Sequence, residues 1–219
     1  MQKNQADNQT RQFLIGGGIP EHLKPEALSS RRKFLTTAGL VTAGVMIAAP
    51  ESEGAFFGLM SNKPVPGIPH AWVQAKGSDV LNYARYIQSL NLRNITPRMV
   101  LAPHFKTRGR THNSLPPKSY WKSMSPTLKL IDKMVTRIGA PLREITSAYR
   151  SPRYNRAVGG RSKSYHMRNM ATDIQFRGIS PYHVAYVAKQ MRTQGYFKGG
   201  IGRYSGFVHV DTRGMNVDW

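Results

Sequence analysis

From Ser78 onward, apolar and polar positions alternate with periods that predict discrete elements, whereas the residues before it show no sustained period. Val80, Ala84, Ile87 and Leu90 recur near a 3.6-residue spacing behind Ser78, a fitting N-cap, and predict a helix to about Leu90. Residues 91–120 carry Pro116-Pro117 and many basic side chains, and read as a long loop or short strands. A second helix is expected to open at Ser125-Pro126, to bury Leu128, Ile131, Met134, Val135 and Ile138, and to stop at Gly139. Residues 144–150 read as extended, with Thr146, Ala148 and Arg150 on one face. Residues 151–163 contain Gly159-Gly160 and read as a flexible loop. A third helix begins at Ser180-Pro181, uses Val184, Val187, Ala188 and Met191, and ends at Gly195. Residues 199–204 and 207–213 then pair as a hairpin about Ser205-Gly206. Strands and helices mixed in this order predict an α+β fold, a small antiparallel sheet with helices packed on one side.

The amino-terminal third is organised differently. Residues 1–29 are polar, hold Gly16-Gly17-Gly18, and read as a disordered extension. Arg31-Arg32-Lys33-Phe34-Leu35 is followed by an uncharged run over residues 37–49, the layout of an export signal and too short to span a bilayer. The arginine pair with Phe34-Leu35 resembles a bacterial twin-arginine signal, with Thr36 where lysine is common. That resemblance implies that the twin-arginine machinery carries the folded protein to the periplasm. Cleavage is expected near Ala48-Ala49 or Gly54-Ala55. The expected organisation is therefore an extension over 1–29, a signal peptide over 30–55, a linker over 56–77 and a folded domain over 78–219.

Charge narrows the partners. The chain holds 32 Lys and Arg against 11 Asp and Glu, a formal charge of +21, and such an excess calls for an anionic partner. Nucleic acid would be the first guess for a cytoplasmic protein. Export replaces it with peptidoglycan carboxylates and envelope-lipid phosphates, so no nucleic acid is expected. Cysteine is absent, which excludes disulfides, thiolate ligands and iron–sulfur clusters held by this chain.

Any metal must then be held by His, Asp or Glu. His166 and Asp173 lie seven residues apart in a chain that has only Glu144, Asp173, Asp211 and Asp218 as acids beyond Gly139. Imidazole nitrogen and carboxylate oxygen suit a borderline divalent ion, and a catalytic zinc site takes three protein ligands and leaves a position open. His209 is the best third candidate. Asp211 shares its strand face by the period of two, so it is expected either to act as general base or to orient His209. Arg150 is always charged and can grip a carboxylate with two donors, or form a structural ion pair. His104 and His112 read as solvated or substrate-side histidines, with a second metal site as the alternative.

Five blocks in order carry a further resemblance: Ser147-Ala148-Tyr149-Arg150-Ser151; Tyr154-Asn155 with Val158-Gly159-Gly160; Ser164, His166, Ala171 and Asp173; Gly199-Gly200-Ile201-Gly202 with Tyr204; and Phe207-Val208-His209-Val210-Asp211. Over about residues 120–214 the chain resembles the zinc D-Ala-D-Ala carboxypeptidases, and within them the exported murein endopeptidases of the LAS-type metallopeptidases. The resemblance implies a four-stranded antiparallel sheet carrying one zinc ion on His166, Asp173 and His209, with Arg150 and Ser164 near the substrate. It also implies hydrolysis of peptidoglycan stem peptides or cross-links. Two departures stand out. Asn169 replaces a common glycine, and residues 203–208 lack the acid or histidine that relatives often place before the last ligand, which leaves Asp211 as the nearby acid. That gap keeps a second reading open, a zinc-containing wall-binding protein without catalysis.

Overall fold

The computed structural model describes residues 64–219. The expected extension, the signal and residues 56–63 of the expected linker lie outside the described residues. Six helices are described: α1 (His70–Lys76), α2 (Asp79–Ser89), α3 (Pro97–Leu101), α4 (Trp121–Ile138), α5 (Pro152–Ala157) and α6 (Pro181–Thr193). A two-residue hairpin joins β1 (Thr107–Arg108) and β2 (Thr111–His112). The main sheet contains β3 (Leu142–Ser147), β4 (Ala171–Phe176), β5 (Gly200–Arg203), β6 (Val208–Asp211) and β7 (Val217–Asp218), in the order β3-β4-β6-β5-β7. The first four neighbours are antiparallel, and β7 adds a short parallel edge beside β5.

The α+β expectation holds, and the period of two explains how one sheet serves two purposes. Ile174 and Phe176 of β4, Val208 and Val210 of β6 and Ile201 of β5 enter the apolar core. Their neighbours Asp173, His209 and Gly202 therefore face the other way. Helices α4 and α6 pack on the apolar side, α4 with Leu128, Ile131, Met134 and Val135, and α6 with Val184, Val187, Ala188 and Met191. Helix α2 adds Val80, Tyr83, Ala84 and Ile87. Gly139, at φ 72°, takes the left-handed conformation that ends α4, where a residue without Cβ is favoured.

Several local expectations need correction. Helix α4 begins at Trp121, with Pro126 inside it, rather than at Ser125. Trp121 and Met124 extend the buried stripe one turn backwards, and Pro126 lies on the exposed face, where water can serve the carbonyl that its missing N–H leaves unbonded. The expected flexible loop over 151–163 contains α5, opened by Ser151, whose hydroxyl accepts from the Tyr154 N–H ahead of Pro152. Thr96-Pro97 opens α3 in the same way, within residues expected to be loop or strand. Part of the expected linker is folded as α1, and Trp72 stacks on Phe105 with ring centroids 4.3 Å apart. Ser78 precedes α2 but its side chain makes no capping bond. Extended structure after β3 ends at Ser147, and register shifts interrupt the simple alternation expected there.

His104 is neither solvated nor turned toward a substrate. It is fully buried against the Tyr83 and Tyr149 rings, and its Nδ1 donates to the Leu101 carbonyl at 3.1 Å. Burial pushes its pKa down from the ordinary 6.5 to about 4. His112 is exposed on β2. Among the described residues neither belongs to a group of three possible metal ligands.

The neutral His104 ring gives a pH test of the fold. Between pH 6.5 and about 4 the unfolded chain binds a proton that the native chain refuses, so native stability falls as pH falls through that window. The loss is on the order of 3 kcal/mol at most. Urea unfolding across these pH values is expected to show this decline, and a shallower decline in His104→Phe. An unchanged slope in the variant would remove His104 as its source.

Candidate metal centre

Register builds the site before any side chain is considered. Asp173 on β4 and His209 on β6 are direct cross-strand partners, and Gly202 of β5 lies on the far side of His209. Directly opposed side chains share one face of the sheet. The third residue arrives on the segment between α5 and β4. Ser164 opens a single 3-10 turn, Tyr165–Arg168, by accepting from the His166 N–H, and Asn169 closes it at φ 53°. Asparagine tolerates this left-handed conformation. Its amide also donates to the Tyr120 carbonyl at 2.9 Å and to the Tyr83 hydroxyl at 3.3 Å. The departure from glycine thus ties the turn to α2 and to the start of α4.

His166 Nε2, Asp173 Oδ1 and His209 Nδ1 converge. Their separations are 3.1 Å between the imidazoles, 3.1 Å from His166 to Asp173 and 2.9 Å from His209 to Asp173. Ligand atoms about 2.0–2.1 Å from one tetrahedral zinc ion lie about 3.3 Å from each other, close to these spacings. The partners on the outer sides fix the tautomers. His166 Nδ1 donates to the Ala148 carbonyl at 2.6 Å, and His209 Nε2 donates to Asp211 Oδ2 at 3.0 Å. Each ring is left with a lone pair aimed at the Asp173 oxygen. Three acceptors this close repel one another unless a positive charge sits among them, which is the property of a cation site. The three residues fit a divalent ion, and zinc in particular by their donor types.

Titration directions agree. Burial raises the Asp173 carboxyl, but the two imidazoles outweigh it and hold it well below the usual carboxylate range. Burial pushes His166 down. Burial also opposes the charged form of His209, yet Asp173 and Asp211 on either side push it up. The proton so favoured on His209 stands where a metal cation would.

The remaining expected residues take distinct places. The Arg150 guanidinium bonds to Asp173 Oδ2, while its Nε donates to Ser147 Oγ at 2.7 Å. It therefore steadies a ligand while also lining the cleft. Ser164 lines the same cleft. Asp211 does not. It has 0% exposure, and accepts from the Gly200 N–H at 3.0 Å, the Arg213 N–H at 3.1 Å, Arg213 Nε at 2.8 Å and His209. Burial raises its carboxyl, but Arg213 and His209 dominate and hold it well below the ordinary range. Arg213, absent from the expected set, also lies 4.1 Å over the Tyr165 ring.

A cleft of about 630 Å³ opens over the three ligands. Arg150, Arg161, Lys163, Arg168 and Arg213 line it, and Asp173 is its only carboxylate. Tyr204, Phe207 and Trp219 form an aromatic side. Trp219 approaches the His209 ring at 5.1 Å and donates from Nε1 to the Tyr204 hydroxyl at 2.8 Å.

Two imidazoles and a carboxylate beneath an open cleft form a group that could hold a metal ion and leave it a free position, the arrangement that a catalytic metal centre needs. A family model described as Peptidase M15 matches residues 103–211. The chain belongs to this family of metallopeptidases, that of the zinc D-Ala-D-Ala carboxypeptidases, through a stretch that contains the three ligands. No curated protein and no solved structure matches the chain significantly. The matched stretch ends at Asp211, so Arg213, β7 and Trp219 lie beyond it.

The outer partner of His209 can be tested directly. Asp211→Asn keeps the shape but removes the charge behind the imidazole, and is expected to weaken zinc binding about 10–100-fold. Competition titration with a chromogenic chelator measures it, with circular dichroism checking the fold. Unchanged affinity would show that Asp211 does not tune the ligand.

Proposed function

We propose that the protein hydrolyses peptide bonds in peptidoglycan stem peptides or cross-links, with one zinc ion on His166, Asp173 and His209. The observation that carries this reading is the convergence of those three ligands in a Peptidase M15 stretch. The cleft adds support, since five cationic side chains beside a single carboxylate suit a substrate rich in free carboxylates. When bound, zinc supplies a Lewis acid that polarises a carbonyl and makes water nucleophilic near neutral pH.

The chain's own groups have assignable tasks in this reading. Arg150 holds Asp173 in orientation and offers its cleft-facing edge to a substrate carboxylate or carbonyl oxygen. Ser164 positions His166 through the turn and presents a hydroxyl to the substrate. Asp211 orients His209 rather than accepting a proton from the reaction, because both of its oxygens are engaged and it has no cleft surface. The arginine pair at Arg31-Arg32 supports export by the twin-arginine route to the periplasm. No helix among the described residues is long and apolar enough to cross a membrane.

One observation favours a second reading, a zinc-containing peptidoglycan-binding protein without turnover. Apart from the three ligands, the cleft lining includes no histidine or carboxylate to accept a proton. Digestion of cross-linked muropeptides by the zinc-loaded full chain separates the two. Hydrolysis predicts chelator-sensitive cleavage that falls to background in His166→Ala, with product masses naming the bond. A folded, zinc-loaded protein that binds walls but cleaves none of several wall preparations would establish the binding protein instead.

A further inference from the structure

Arg213 is fixed in the metal cleft from several sides. Its Nε donates to both oxygens of Asp211, at 2.8 Å and 3.0 Å, and its Nη2 donates to Asp211 Oδ2. The guanidinium lies 4.1 Å over the Tyr165 ring and 5.2 Å from the Trp219 ring centre. A Cβ on Gly200 would come within 2.7 Å of Nη2, so the lack of a side chain there makes room for the ion pair. Only 14% of the Arg213 side chain is exposed, yet it lines the cleft over the three ligands. Its remaining nitrogen, Nη1, donates to none of the described residues.

The Tyr165 ring gathers a second guanidinium. Arg168 lies 5.3 Å from the same ring centre, is exposed, and has no ion-pair partner among the described residues. Two positive charges therefore share one ring with a single carboxylate, Asp211, which has no exposed surface. Asp211 offsets one charge and leaves the other uncompensated on the cleft side. Arginine does not lose its proton in proteins, so the excess persists across the working pH range. The other carboxylate at hand, Asp173, is taken by Arg150 and the two imidazoles. The leftover charge around Tyr165 is thus open to an anion from outside the chain.

An unbonded guanidinium edge suits an oxyanion, which accepts from N–H groups in its plane and gains from the charge. Asp211 and the two rings already hold the side chain in place, so little entropy is lost when a ligand meets it. One surplus charge matches a singly charged carboxylate better than a doubly charged phosphate. We propose that Arg213, with Arg168 on the same ring, forms a subsite for a free carboxylate on the ligand that the metal centre holds. Arg213 is then a specificity-determining residue, because it separates a charged ligand from a neutral one of the same shape. The subsite rests on the hydrolase reading only for the metal that grips the other end of the ligand. Arg213 itself lies beyond the stretch matched by the family model.

The test uses the zinc-loaded full chain and paired probes, monohydroxamates of linear dicarboxylic acids in a series of chain lengths, each beside its neutral amide. The hydroxamate end grips the metal, and the far end differs only in charge. Calorimetry gives the acid-to-amide affinity ratio for each length. At the best length the wild type is expected to favour the acid by about tenfold or more, the worth of a charge-assisted hydrogen bond. Arg213→Gln is expected to bring that ratio close to one, and Arg168→Gln to lower it. A merely structural role of Arg213 would loosen the metal and weaken acid and amide alike, with the ratio unchanged. If Arg213→Gln does not fold, Arg168→Gln, at an exposed position, decides. No preference in the wild type, or an unchanged ratio in the variants, would overturn the subsite and place any bound carboxylate on other cations of the cleft. A phosphonate-ended probe that depends on Arg213 more strongly than the carboxylate would overturn the choice of anion. If the ratios behave as expected and no peptide is cleaved, hydrolysis fails and the subsite stands. A folded chain that takes up no zinc and binds none of the probes would overturn both.

Discussion

Three lone-pair atoms within 3.1 Å of one another are electrostatically unfavourable without a positive charge between them, and this cluster is what the surrounding structure holds in place. Each ligand is fixed from behind: His166 by the Ala148 carbonyl, His209 by Asp211, and Asp173 by Arg150. Arg213 in turn fixes Asp211, and Tyr165 lies beneath the Arg213 guanidinium. These outer contacts set which nitrogen of each ring faces the centre, so the donor set is oriented before an ion arrives.

The sheet supplies the rigidity that such a cluster requires. On β4 and β6, alternate residues go into the apolar core, which locks the register. A slip of one residue would turn Asp173 and His209 into the core and expose Ile174 and Val208. Packing of α4 and α6 on one face therefore specifies the chemistry on the other. Asn169 extends the same logic to the turn, since its bonds to Tyr83 and Tyr120 join the His166 segment to helices that are far away in sequence.

Electrostatics sets the character of the cleft over the three residues. The metal cleft combines five basic side chains with one ligand carboxylate, and attracts anionic groups to the ion site. Trp219 closes its aromatic side, with its ring 5.1 Å from that of His209.

What the sequence determined by itself was whatever depends on local periodicity. The stripes of α2, α4 and α6, the hairpin of β5 and β6, and the left-handed stop at Gly139 were all legible, because each follows from spacing or from one residue's backbone preference. His166, Asp173 and His209 were legible through residue type and family resemblance, and register then brought them together. Ser151-Pro152 and Thr96-Pro97 carry the same signal as Ser180-Pro181 and open α5 and α3, two helices too short to show a period, whereas Ser125-Pro126, bearing that signal too, lies inside a helix. Local signs of this kind are decided by what the segment can bury. Only the tertiary structure placed His104 in the core and turned Asp211 away from the cleft. It alone laid Arg213 against Tyr165 and brought Trp219 over Gly202. Each of these joins residues with no shared period, and their meeting is set by how the strands and helices pack.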